Sequence, residues 1–218
     1  IGDFKYAPPS GFLALCTKNL PDTTIKQGSD YISTIIWEGT GSENARTGVG
    51  FSPNLVMIRS RENSGRNTSV FDTIRGANAE LVTTGDSAEA TGDVQLLKSF
   101  DADGFTLGTN AGVNGSSEDF VGWCWKESAT AGFDIVSYTG NGSNRTISHN
   151  LGVKPSLMII KGRSDASRSW HVWEDTVHTG STFMYLNSSG ANNSHDPIWN
   201  GTEPTSSVFS VGTYNQSN

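Results

Sequence analysis

Two tryptophans and a histidine in the last quarter of the chain have the side chains that a sugar site needs. Sugars pack their apolar C–H surface against aromatic faces, and their hydroxyls bond to amides and carboxylates on rigid loops. The candidate ligand-binding residues are Trp170, His171, Asn192, Asn193, Asp196 and Trp199. The alternative, which the sequence favours, is that both tryptophans cover the end of a β core or a subunit interface.

Two patterns that resemble metal sites are better explained otherwise. Residues 101–104, Asp-Ala-Asp-Gly, have the alternating acids of a calcium loop but no acid at its twelfth position, so they predict a hairpin turn. His171 and His178 are too far apart in sequence for one strand face or the usual two-ligand helix motif. We therefore expect no metal and no cofactor.

The sequence contains no catalytic signature. Glu174 and Asp175 are adjacent, so on a strand they point to opposite faces and cannot flank one glycosidic bond. Cys16 and Cys124 lie in apolar runs typical of buried free thiols, and no Gly-x-Ser-x-Gly elbow occurs. We expect a protein that is not an enzyme. A carbohydrate-active enzyme is the less favoured alternative, and it would need a cleft with two carboxylates about 5–10 Å apart.

Composition indicates short strands joined by turns and argues against two classes of partner. Only 17% of the residues are charged, and 25 are Gly. The net charge of -7 disfavours nucleic acid and anionic membranes, which both attract basic surfaces. No apolar run approaches the roughly 18 residues that span a bilayer. The chain begins with Ile1, which we expect to be an internal residue of a longer protein.

An internal repeat organises most of the chain. Pro53 and Pro155, 102 positions apart, each lead into an apolar run that predicts a strand buried on both faces. Residues 39–42 align with 140–143, and residues 104–108 align with 208–212. The candidate sugar-site residues have no clear counterparts in the first copy, which is typical of a site added to a shared scaffold.

The first copy ends in a strand that the second copy lacks. In residues 120–126, alternation places Phe120, Gly122 and Cys124 on one face. Residues 12–18 share the Phe, Cys and Lys positions of this strand. They either complete the second copy or finish a preceding domain.

The predicted fold is all-β, with two tandem antiparallel β-sandwich units of jelly-roll or lectin-like type. Residues 1–30 form a linker or the closing strand of a preceding module, residues 31–128 the first unit and residues 129–218 the second. The best helical window, residues 77–82, is too short for more than a turn or two. Asp72 and Asp175 are each predicted to cap a turn by accepting backbone N–H groups.

Several stretches resemble bacteriophage structural proteins. The beginning of the chain looks like the end of the SPRY-like modules of such proteins, in residues 2–12, 15–17 and 19–21. A second set is similar to an uncharacterised domain that follows these modules in phages of aquatic bacteria: residues 50–56, 72–76, 99–108 and 121–125. The resemblance implies a virion protein of tail-fibre or other appendage type, and the family offers no catalytic residues.

The leading expectation is a non-enzymatic tail-fibre module that recognises a glycan or protein on the host surface. Its expected partners are other virion subunits, further copies of itself in a homo-oligomer, and the host receptor, with no nucleic acid and no membrane insertion. The expected location is the virion, after assembly in the bacterial cytoplasm. A capsid decoration protein, whose exposed strand edge is completed by a neighbour, is the alternative.

Overall fold

The computed structural model describes Ser10 and residues 23–177, 181–190, 193–194 and 198–218. Within these residues the fold is all-β, as the sequence predicts, and it is built from antiparallel sheets. The helices among the described residues are one 3-10 turn, Gly28–Asp30, and one turn of α-helix, α1, Ala111–Asn114. Residues 12–18, which the sequence assigns either to the second unit or to a preceding domain, lie outside the described residues.

The first half is a sandwich of a six-stranded and a three-stranded sheet. The larger sheet has the order β1-β9-β3-β4-β5-β6 and the smaller β2-β8-β7. The strands of the larger sheet are β1 (Ile32–Glu38), β3 (Leu55–Ser60), β4 (Ser69–Asp72), β5 (Ala79–Val82), β6 (Ala90–Thr91) and β9 (Asp119–Trp125). Those of the smaller are β2 (Asn44–Thr47), β7 (Leu97–Asp101) and β8 (Gly104–Leu107).

The alternation predicted for β9 is confirmed, and it places the core between these two sheets. Phe120, Gly122 and Cys124 are buried while the residues between them are half-buried. Trp37 of β1 stacks on Phe120, with ring centroids 5.7 Å apart. A Cβ atom at Gly122 would lie 2.9 Å from the ring of Trp37, so this position admits no side chain without movement of the indole.

The second half again has two sheets. One contains β11 (Leu157–Lys161), β12 (Trp170–Glu174), β13 (Thr182–Tyr185) and β14 (Asn193–Ser194), in that order. The other pairs β10 (Arg145–Ser148) with β15 (Val208–Val211). Met158 and Ile160 of β11 pack against Ile147, Phe209 and Val211 of the smaller sheet, so this half is also a two-layer unit.

The run after Pro155 does not form a strand buried on both faces, which corrects the sequence prediction. β3, which follows Pro53, lies between β9 and β4 inside its sheet. Among the described strands β11 lies at the edge of its sheet, and its Leu157 and Ile159 are 56% and 46% exposed. A strand needs neighbours and a covering layer to be buried, and β11 has a strand neighbour only on one side among the described residues.

Two local predictions also change. Part of the window 77–82 forms strand β5, because pairing with β4 outweighs a weak helical propensity. Asp72 caps its turn, accepting the N–H of Arg75 at 2.9 Å. In the second half the cap is Glu174, which accepts the N–H groups of Thr176 and Val177, and not Asp175, which bonds to Lys154 instead.

Candidate functional site

Trp170 joins the two halves of the molecule. Its side chain is 7% exposed and packs against Val70 and Leu81 of the first half. Its indole Nε1 donates a hydrogen bond to the carbonyl of Val82 at 2.8 Å. Trp170 therefore packs between the two halves of a single chain, a position that the sequence did not predict.

His171 points to the opposite face of β12 and is fully buried. The rings of Phe183, Tyr185 and Tyr214 surround it, with centroids 5.0, 5.3 and 5.9 Å away. Burial lowers the pKa of His171 to about 4, against the smaller opposing effect of a hydrogen bond with the backbone of Ser169. A neutral imidazole at this depth acts as a core side chain.

The other predicted ligand residues do not form an exposed group with these two. Trp199 is 1% exposed, and its Nε1 donates to the carbonyl of Thr182 at 3.1 Å. Asn193 lies in β14, where only the backbone is described, and Asn192 and Asp196 lie outside the described residues. Neither indole presents a face to solvent, so the described members of the set provide no platform for a sugar ring.

An aromatic cleft lies elsewhere, at the end of the β1-β9 pair. It encloses about 310 Å³, which falls at the lower end of the range for small-ligand sites. Its lining residues are Ile25, Gly28, Tyr31, Ile32, Trp125, Lys126, Ala131, Gly132 and Phe133. These residues come from the 3-10 turn region, from the paired ends of β1 and β9, and from the turn that follows β9.

Local hydrogen bonds position the aromatic residues of this cleft. The N–H of Lys126 donates to the carbonyl of Tyr31 at 2.8 Å, which holds the two strand ends together. Ser128 and Phe133 exchange two backbone hydrogen bonds, and the turn between them contains Gly132 with a φ of 75°. This turn folds Phe133 back until its ring lies 6.4 Å from that of Trp125.

One lining residue of the cleft, Lys126, is a cation. The ammonium of Lys126 lies 5.9 Å from the ring centroid of Tyr31, within the range of a cation–π contact. The cleft thus offers three aromatic rings and one positive charge, a set that suits a ring-shaped ligand with an anionic substituent.

Two acids lie close to the cleft but do not have the arrangement of a glycosidase. The pKa of Glu127 is raised, first by burial and then by contact with the carboxyl of Asp134. Such contact is closer than the roughly 5–10 Å that separates glycosidase carboxylates. Asp134 also accepts the N–H of Asn150 at 2.7 Å, which gives it a structural role.

Few features of the sequence indicated this cleft. Tyr31, Trp125 and Phe133 are far apart or lie at the ends of predicted strands, and each alone reads as a packing residue. The useful signal is the close spacing of Trp125, Gly132 and Phe133, because a glycine between aromatic residues predicts a tight turn that brings them together.

Neither a metal cluster nor a membrane-spanning helix is found in the described ranges. No group of three or more His, Cys, Asp or Glu side chains in these ranges could hold an ion. The described helices are also too short to cross a bilayer.

Comparison with known proteins gives one result. No curated protein and no solved structure matches the chain. A family model described as "Domain of unknown function (DUF7483)" matches residues 27–218, which include both halves of the fold and all of the residues lining the cleft except Ile25. Since this match extends over most of the chain, the protein belongs to the DUF7483 family.

Proposed function

We propose that the protein is a non-enzymatic module of a bacteriophage tail fibre or similar appendage, and that it binds a glycan on the host surface. The observation that carries the proposal is the aromatic cleft of Tyr31, Trp125 and Phe133. The resemblance of residues 50–56 and 121–125 to a domain of phage structural proteins supports the virion as its location.

The chemistry of the cleft favours one class of sugar. Aromatic rings pack against the C–H face of a pyranose, and the Lys126 ammonium would pair with a carboxylate or phosphate on that sugar. Because the whole chain carries a net charge of -7, it would not steer acidic polymers from a distance. The cleft would therefore recognise a single acidic sugar through the short-range contact with Lys126.

The test is binding to an array of bacterial surface glycans that includes neutral and acidic sugars. We expect acidic sugars to bind, and we expect Trp125→Ala to weaken that binding at least tenfold. Trp123→Ala is the matched control, since Trp123 lies on the same strand and the same face but outside the cleft. An array without binding, or equal loss in both variants, would contradict the proposal.

A capsid decoration protein is the second candidate, and the edge strand β1 favours it. β1 is seven residues long and, among the described strands, lies at one edge of the larger sheet, with Ile32 and Ile36 47% and 63% exposed. An exposed apolar edge strand can pair with a neighbouring subunit. Immunogold labelling of purified particles distinguishes the two, because a decoration protein would label the shell and an appendage module the tail.

A further inference from the structure

The backbone donors on the strand side of the aromatic cleft are already bonded within the protein. The N–H of Tyr31 donates to the carbonyl of Gly28 at 3.0 Å. The N–H of Lys126 donates in turn to the carbonyl of Tyr31 at 2.8 Å. Neither N–H group is left for a ligand that enters the cleft.

The turn that follows β9 uses its donors in the same way. Ser128 accepts the N–H of Ala131 with its hydroxyl oxygen at 3.4 Å and the N–H of Phe133 with its carbonyl at 3.1 Å. The N–H of Gly132 donates to the carbonyl of Ala129 at 3.1 Å. Five of the nine lining residues thus have a backbone N–H that is bonded inside the protein.

The side chains that line the cleft add few further hydrogen-bonding groups. Three of them carry a polar atom, and these belong to Tyr31, Trp125 and Lys126. Ile25 and Ile32 present only methyl and methylene groups, and Ile32 is 47% exposed. The cleft therefore combines one positive charge with apolar surface that a ligand can cover.

This shortage of donors sets which sugars the cleft can hold. A ligand oxygen that leaves water and finds no donor weakens binding by about tenfold or more, because its bonds to water are not replaced. A methyl group at the same position loses no hydrogen bond and strengthens binding by burying its own surface. A hexose with every hydroxyl group present is therefore a poor fit, and a sugar with a methyl group on its buried side is a better one.

We propose that the ligand of the cleft is an acidic 6-deoxy sugar, in which a methyl group stands where an ordinary hexose has a hydroxymethyl group. This ligand class rests on the proposed glycan binding and narrows it. The anionic group of the sugar pairs with the ammonium of Lys126, and the methyl group lies against Ile25 and Ile32. Loss of the one hydroxyl removes an oxygen for which the cleft has few donors.

The paired strand ends separate the charged side of the cleft from its apolar side. Successive residues of a strand point to opposite faces. Tyr31 and Lys126, which are in cation–π contact, therefore fall on one side of the strand ends. Ile32 and Trp125, which are direct partners, fall on the other. A sugar held between the two sides has its charge and its methyl group at different positions on the ring.

Matched sugar phosphates test the ligand class. The 1-phosphates of glucose, galactose and mannose each differ from their 6-deoxy forms by a single oxygen atom, and all of them carry the same anionic group. Isothermal titration calorimetry measures the binding of each pair to the whole chain. We expect at least one 6-deoxy sugar phosphate to bind about tenfold more tightly than its parent hexose phosphate.

Ile32→Ala and Ile36→Ala are a matched pair of variants. Both isoleucines lie on the same face of β1 and are exposed, so neither truncation should disturb the core, and only Ile32 lines the cleft. Ile32→Ala should reduce the preference for the 6-deoxy form to about threefold or less, and Ile36→Ala should leave it unchanged. Lys126→Met should weaken both members of each pair equally, because it removes the charge and keeps the apolar wall.

Different results would overturn the deoxy preference and the glycan-binding function. Equal binding of the 6-deoxy and parent forms, or equal effects of Ile32→Ala and Ile36→Ala, would overturn the preference alone. Tighter binding of N-acetylglucosamine 1-phosphate than of every 6-deoxy sugar phosphate would assign the apolar wall to an acetyl group and would also overturn it. If no sugar phosphate binds, the preference is wrong, and if the glycan array is also without binding, the proposed function is wrong with it.

Discussion

Replacing Arg75 with methionine should strongly destabilise the protein. The Arg75 side chain is only 4% exposed and donates to both Asp72, at 2.5 Å, and Glu89, at 3.1 Å. It also donates to the carbonyl groups of Val70 and Ala79. The two carboxylates are themselves 8% and 9% exposed. Methionine keeps much of the volume but removes the charge and every donor.

The magnitude follows from what the substitution leaves behind. Asp72 would keep its backbone N–H donor but lose its buried cation, and Glu89 would retain only Arg163. Breaking a buried ion pair by removal of one partner costs about 3–5 kcal/mol. Glu89 bonds to an arginine from each half, so we expect the free energy of unfolding to fall by about that amount for the whole molecule.

Urea unfolding followed by circular dichroism and tryptophan fluorescence measures the effect. Arg61→Met is the matched control, because Arg61 pairs with Asp119 at 3.2 Å with both side chains more than 40% exposed. Such a pair contributes about 0–1 kcal/mol. A difference of less than about 1 kcal/mol between the two variants would refute the view that Arg75 supports a buried network.

Three further predictions concern the two cores. Gly122→Ala should lower the free energy of unfolding by about 1–3 kcal/mol, because the new Cβ lies 2.9 Å from the ring of Trp37. Urea titration measures this change, and an unchanged midpoint would contradict the packing described here. Asn114→Ala should cost at least about 1–3 kcal/mol in the same assay, since the fully buried Asn114 accepts the Thr40 N–H and donates to the carbonyl of Gly108. The pKa of His171 is lowered to about 4 in the folded chain, whereas an unfolded histidine has a pKa of about 6.5. Between these two pH values the unfolded chain binds the proton more readily, so the stability of the wild-type protein should fall as the pH drops from about 6.5 towards 4. His171→Phe should remove this slope, which urea midpoints at pH 7, 6 and 5 would reveal, and an unchanged slope would assign it to another group.

The sequence predicted the elements whose local pattern is unambiguous. The alternation of residues 120–126 gave the faces of β9, and the Asp-Ala-Asp-Gly pattern gave the hairpin between β7 and β8. These predictions hold because side-chain period and turn chemistry are local properties. The internal duplication stays a prediction, although β3 and β11 each begin two residues after an aligned proline.

The sequence could not show which strands and side chains lie next to one another in the fold. Residues 157–160 are as apolar as residues 55–58, yet Ile159 is half exposed because β11 has a neighbouring strand on only one side among the described residues. Glu174 and Asp175 are chemically similar, and only the geometry of the turn selects Glu174 as its cap. Trp170 resembled a binding residue because its partners, Val70 and Leu81, lie far away in sequence.

The candidate cleft was missed for the same reason. Tyr31 comes just before the first strand of the first half, whereas Trp125 ends its last strand and Phe133 follows it. Their rings meet only because Ile32 and Trp125 are directly paired. A pairing between the first and last strands of a unit involves a large sequence separation, which local patterns do not encode.

The pairing of β1 with β9 also affects how such a unit can be inherited. The chain enters the first half at Ile32 and leaves it at Trp125, and these two residues are direct partners on adjacent strands. A unit whose ends meet can be inserted between two joined residues of another protein, or copied in tandem, without a long connection. Recombination could therefore add or remove the whole sandwich while leaving the flanking segments of the chain at almost the same separation.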